Sequence, residues 1–84
     1  MPPSDLTATV VECLTAFFQA PIEPDDSRNL IETYRLDSLG VVELISELET
    51  RFDCQLDVSG IQQLSTVAAI TATVGQALQQ TSPS

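Results

Sequence analysis

The chain contains no histidine and no lysine. Without an imidazole no Ser-His-Asp set can be assembled. Cys13 and Cys54 form no CxxC pair, so no zinc set follows from them. The three glycines compose no phosphate-cradling loop. With no catalytic set in view, the chain reads as a protein without catalysis of its own and with no metal. Aromatic residues are scarce at 5%, yet the apolar fraction of 43% suffices for a single core. No apolar run reaches the roughly eighteen residues of a membrane-spanning helix. The N-terminal MPPSDL lacks the basic and apolar blocks of a signal peptide, and the expected location is cytoplasmic.

What is present is acid. Twelve Asp and Glu residues stand against Arg28, Arg35 and Arg51, a net charge of −9. Such a field repels nucleic acid and anionic membranes and favours encounter with basic protein surfaces. All twelve acids lie at or before Asp57, and nothing from Val58 onward is charged. The first two thirds of the chain are therefore expected to face partners. An acidic surface also keeps a small domain soluble, and composition leaves both readings open. The 84 residues make one domain, 1–84, of modest stability and expected to be a monomer. Residues 1–4 form a flexible leader and 81–84 a frayed tail.

Apolar residues recur at helical spacing in three places. Leu6, Val10, Cys13, Leu14 and Phe17 predict a first helix over Asp5 to Gln19, with Ser4 as N-cap and Pro21 as its stop. Residues 20–36 show no period and read as a solvated loop with a helical turn over Arg28 to Glu32. Leu30, Ile31, Tyr34 and Leu36 are expected to anchor it to the core. The next helix runs from Ser38 to Arg51 behind Asp37 as N-cap, and Asp53 to Asp57 form an extended link. Ser59-Gly60-Ile61-Gln62 is a capping-box pattern opening a short helix, Gly60 to Leu64. Ser65 or Thr66 then caps a last helix with the stripe Val67, Ile70, Val74 and Ala77 or Leu78. The expected fold is all-α, a small four-helix bundle of three main helices plus a short third one. Cys13 and Cys54 are expected as buried, unreactive thiols.

The helix behind Asp37 carries the unusual feature. On a wheel of about 100° per residue, Val41, Leu44, Ile45, Leu48 and Phe52 occupy one core-facing sector. Leu39 falls almost opposite, beside Glu43, Ser46 and Thr50, while Val42 and Glu49 lie at the margin. An apolar residue on an acidic outer face, next to a serine at the helix start, suggests a surface that meets partners. The first turn of a helix offers unpaired N–H groups and a positive dipole end, which suits a phosphate ester on Ser38. Asp-Ser before a helix is also a common capping pair, and from the residues alone that is the readier reading.

Asp37-Ser38-Leu39, followed by Val42, Glu43, Leu44, Leu48, Glu49 and Phe52, closely resembles the acyl carrier protein family. Leu64-Ser65-Thr66-Val67 is similar to that family's approach to its final helix, so the resemblance spans nearly the whole chain. It implies that Ser38 receives phosphopantetheine from coenzyme A, with Asp37 and Leu39 its neighbours in the motif, and that the arm's thiol holds acyl groups as thioesters. It further implies that Leu39, Val42, Glu43, Ser46 and Glu49 form a recognition helix read by basic docking patches. The implied partners are a phosphopantetheinyl transferase, an acyl- or aminoacyl-loading ligase or transferase, and synthase and tailoring enzymes. Surface ion pairs of this kind set orientation and on-rate more than affinity.

Three places depart from the family pattern. Tyr34 and Arg35 stand where Leu-Gly is common, Gly40 follows the motif where an acid is common, and Thr50 replaces another acid. A less acidic recognition helix points away from core fatty-acid synthesis. The expectation is a discrete carrier of polyketide, nonribosomal or other specialised biosynthesis. The alternative is an aminoacyl, peptidyl or D-alanyl-type carrier, since a glycine after the motif resembles the D-alanyl carriers. A reading from another class is an acidic helical adaptor with no prosthetic group.

Overall fold

A computed structural model of the chain describes residues 3–56 and 64–80, the side chains of Pro3, Ser4 and Gln80 excepted. Helix α1 spans Pro3–Phe18. It begins two residues before the expected start, so Ser4 lies inside the first turn instead of capping it. Proline suits a first helical position because its fixed φ is already helical and its missing N–H would go unpaired there. Gln19, expected as the last helical residue, has a φ of 53° and ends the helix in the left-handed region.

The segment that follows is pinned at several points, as expected of a long loop in a small domain. Helix α2, Leu30–Thr33, lies two residues beyond the predicted start of the turn because Asn29 caps it, its side chain accepting from the Glu32 N–H at 3.1 Å. Leu30 and Ile31 are buried, and the Leu30 N–H donates to the Ser65 carbonyl just before the last helix. Ile22, not foreseen as an anchor, is buried as well, while Tyr34 and Leu36 pack half-buried against the core. Upstream, Asp26 takes Arg28 in a two-pronged pair, with Nη2 to Oδ2 at 2.8 Å and Nε to Oδ1 at 3.0 Å. The guanidinium lies 6.0 Å from the centre of the Tyr34 ring, which stacks on Phe18 at 4.5 Å.

Helix α3, Ser38–Phe52, follows Asp37 as predicted and runs one residue longer. Asp53 closes it at φ 50°, and the Cys54 N–H returns to the Glu49 carbonyl at 3.2 Å. Helix α4 spans Val67–Gln80. Thr66 is its cap, since its hydroxyl accepts from the Ala69 N–H at 3.1 Å. The predicted short helix over Gly60 to Leu64 lies outside the described residues except for Leu64, which is fully buried.

Helix α1 packs on both α3 and α4, which also meet each other. Val10, Cys13 and Leu14 from α1, Val41, Leu44 and Leu48 from α3, and Val67, Ile70, Val74 and Ala77 from α4 form the core. Of the two candidates at the end of the last stripe, Ala77 is the buried one and Leu78 is half-buried. Each fully buried leucine contributes about 1.5–3 kcal/mol relative to exposure. Ile45 and Phe52, expected in the core stripe, pack half-buried at its edges. The close approach of α1 to α4 uses Gly75, where a Cβ would come within 3.3 Å of Leu6. All described regular structure is helical, consistent with the expected bundle. No helix among the described residues is long and apolar enough to cross a membrane.

Candidate functional site

The start of α3 is built by Asp37. Its backbone is extended, and its Oδ1 accepts from the Gly40 N–H at 2.7 Å while its carbonyl accepts from the Val41 N–H at 3.0 Å. Asp37 therefore supplies the whole cap. Ser38, the first helical residue, is exposed, and its hydroxyl takes no part in any hydrogen bond among the described residues. A hydroxyl that closes a helix is engaged by its own backbone; this one is free for chemistry.

Gly40 is placed by close packing. A Cβ there would stand 3.0 Å from Leu36 Cδ2 and 3.3 Å from Asp37 Oδ1, so Leu36 folds over the first turn. The approach to the helix is turned by Arg35, whose φ of 53° lies in the region that favours glycine. At the place where the family commonly has glycine, this chain holds an arginine in the backbone region that glycine favours.

The outer face comes together largely as expected. Leu39 is 66% exposed and Val42 60%, the large apolar side chains left open to solvent among the described residues. Glu43, Ser46 and Thr50 are exposed beside them. Glu49 is different. It is half-buried, and its Oε2 accepts from the Leu56 N–H at 2.9 Å, so its carboxylate ties the link after α3 back onto the helix. On the opposite flank Arg51 reaches Glu12 of α1 at 3.5 Å, an exposed pair of small energetic weight.

The thiols are structural. Cys13 is buried and Cys54, expected buried, is half-buried against the core; both are free. Burial raises the Cys13 thiol pKa, with Arg51 opposing and Glu47 reinforcing the shift. Burial also raises that of Cys54, helped by Glu49 and Asp53. Among the described residues no group of His, Cys, Asp or Glu is placed to hold a metal ion.

A covalent phosphate ester fits this helix start. The hydroxyl is accessible, and Asp37 claims the Gly40 amide but leaves those of Ser38 and Leu39 as first-turn donors with no acceptor among the described residues. Two features escaped the sequence reading of the site. One is the engagement of Glu49, for which no local signal exists. The other is the left-handed backbone at Arg35, a position noticed only as a departure from the family pattern.

The family described as phosphopantetheine attachment site matches residues 8–74, a span that takes in the cap, Ser38 and most of α4. Similar relatives include the D-alanyl carrier proteins of Streptococcus sanguinis (strain SK36), Streptococcus thermophilus (strain ATCC BAA-491 / LMD-9) and Streptococcus gordonii. Each is 40% identical over 55 residues, covering 66% of this chain and 70% of the relative. The chain belongs to the phosphopantetheine-attachment family of carrier proteins, and its prosthetic group is covalently held phosphopantetheine.

Proposed function

We propose that Ser38 is the attachment residue and that the cargo is an aminoacyl group of the D-alanyl type. The observation that carries the first part is the division of labour at the helix start: Asp37 caps α3, and the adjacent hydroxyl is exposed and unengaged. The Ser38 Oγ forms a new bond to the pantetheine-bearing phosphorus of coenzyme A. The bond from that phosphorus to the adenosine bisphosphate breaks, and a base on the transferase takes the serine proton. When bound, the arm supplies a terminal thiol that holds cargo as a thioester. The chain's own residues bind and orient: Asp37 fixes the helix end, while Leu39, Val42, Glu43 and Ser46 offer an apolar and acidic face to basic enzyme surfaces. With no catalytic set of its own, the chain leaves loading and unloading to partner enzymes, among them a phosphopantetheinyl transferase and a loading ligase.

The similarity to D-alanyl carrier proteins, together with Gly40 after the motif, supports an aminoacyl cargo better than the polyketide or fatty-acyl reading. An acidic adaptor without a prosthetic group leaves the family match unexplained.

The test has two stages. Incubation with coenzyme A and a broad-specificity phosphopantetheinyl transferase should add one pantetheinyl unit to the intact mass, mapped to Ser38 and lost in Ser38→Ala. Label on any other residue overturns the site. The loaded chain is then offered to a D-alanine-activating ligase and to a malonyl transferase. A D-alanyl thioester is expected; efficient malonylation with no D-alanylation overturns the cargo.

A further inference from the structure

Among the described residues the three cations have different fates. Arg28 is held by Asp26 at 2.8 Å and Arg51 reaches Glu12 at 3.5 Å. Arg35 is exposed and its side chain has no ion pair, although the chain carries twelve acids. It sits at a φ of 53°, where glycine would be the unstrained choice. An arginine in such a place, without an ion pair among the described residues, is open to an anion from outside the polypeptide.

Its position names the anion. Arg35 precedes Ser38 by three residues, so their Cα atoms are at most roughly 11 Å apart even in extended chain. That is within the joint span of an arginine and an esterified serine side chain. The helix end already holds one anion, the Asp37 carboxylate, which occupies the Gly40 amide. A phosphodiester on Ser38 brings a second negative charge to the same turn, with only the Ser38 and Leu39 amides left to meet it. We infer that Arg35 is a positioning residue for the prosthetic group: its guanidinium pairs with the non-bridging oxygens of the phosphodiester on Ser38 and offsets the charge of Asp37. The inference rests on Ser38 being the attachment residue. Guanidinium suits this task because its planar fork meets two phosphate oxygens and stays charged at every working pH.

The experiment compares the isotope-labelled full chain before and after loading, with intact mass confirming one pantetheinyl unit at Ser38. The arginine Nε–Hε resonance of Arg35 is expected to shift on loading while those of Arg28 and Arg51 stay in place. The phosphorus resonance of the arm is expected to move in Arg35→Gln and to return part of the way in Arg35→Lys. Unloaded chain mixed with free coenzyme A separates the two sources of phosphate. A shift of Arg35 there, with none in the loaded chain, overturns the pairing with the arm and assigns Arg35 to the donor. No shift in either sample, with the mass gain present, also overturns it. A missing mass gain sinks the attachment reading itself, a separate failure. Arg35→Gly, which the left-handed backbone favours, serves as a folded second variant and should reproduce the phosphorus change seen in Arg35→Gln.

Discussion

At the first turn of α3 the side chain that closes the helix and the hydroxyl that faces solvent belong to neighbouring residues, Asp37 and Ser38. The two substitutions should therefore behave oppositely. Asp37→Ala is expected to lower stability by about 1 kcal/mol, the usual cost of a lost N-cap, read by thermal or urea unfolding. Ser38→Ala should stay within about 0.5 kcal/mol of the parent while losing all loading. The reverse order in unfolding would mean that the hydroxyl is the cap. Arg35 obeys a backbone argument: a left-handed non-glycine residue costs about 1 kcal/mol, so Arg35→Gly should raise the melting temperature of the unloaded chain. Asp26 supplies a pH signature. Its bonds from Arg28 hold the carboxyl pKa below the usual aspartate value. A depressed folded value means the stabilisation is complete above the unfolded aspartate range and is lost as pH falls through the lower, folded one. Carboxyl NMR should show Asp26 titrating below an ordinary aspartate, and moving up toward it in Arg28→Gln.

Helix α3 separates its two duties by face. The inward residues Val41, Leu44 and Leu48 carry the packing, and the outward Leu39, Val42, Glu43 and Ser46 are exposed. Leu39→Ala and Glu43→Lys should leave helicity and melting temperature unchanged while slowing modification by the transferase. Wild-type rates in both would remove the outer face from recognition. Glu49→Ala should instead loosen the link through Leu56 and cost about 1 kcal/mol, because its carboxylate serves the fold. That contrast also marks what the sequence could tell. The cap at Asp37, the 3.6-residue period and Thr66 ahead of α4 are local signals, so α3 and α4 were legible to within a residue. Helix α2 was placed two residues early because the Asn29–Glu32 pair lies in a stretch with no hydrophobic period to frame it. The Glu49–Leu56 bond joins positions seven apart through a left-handed Asp53, and only the folded turn brings them together. The case for Ser38 rests on family resemblance, because the residues by themselves describe a capping pair more readily than an attachment point.

Considered whole, the molecule sets a small aliphatic core against a large net charge of one sign. A domain of this size has a stability of about 5 kcal/mol or little more. Leu44→Ala, at a fully buried position shared by α3 and its neighbours, costs about 2–5 kcal/mol and should leave much of the chain unfolded at physiological temperature. The charge of −9 acts over longer range. In the isolated chain it is self-repulsion and opposes compaction, whereas toward a basic partner it is attraction and speeds encounter. Salt screens both, since the Debye length shrinks from about 10 Å at 0.1 M to about 3 Å at 1 M. The two effects must then respond with opposite sign: added sodium chloride should raise the melting temperature of the free chain while lowering kcat/KM for its modification by the transferase. Substituting Glu43 by glutamine should flatten the kinetic salt dependence and leave the thermal one nearly intact, because one carboxylate on the docking face weighs heavily in the encounter and little among the twelve acids of the chain. Parallel responses to salt in the two measurements would remove electrostatic steering from the account of how this carrier finds its enzymes.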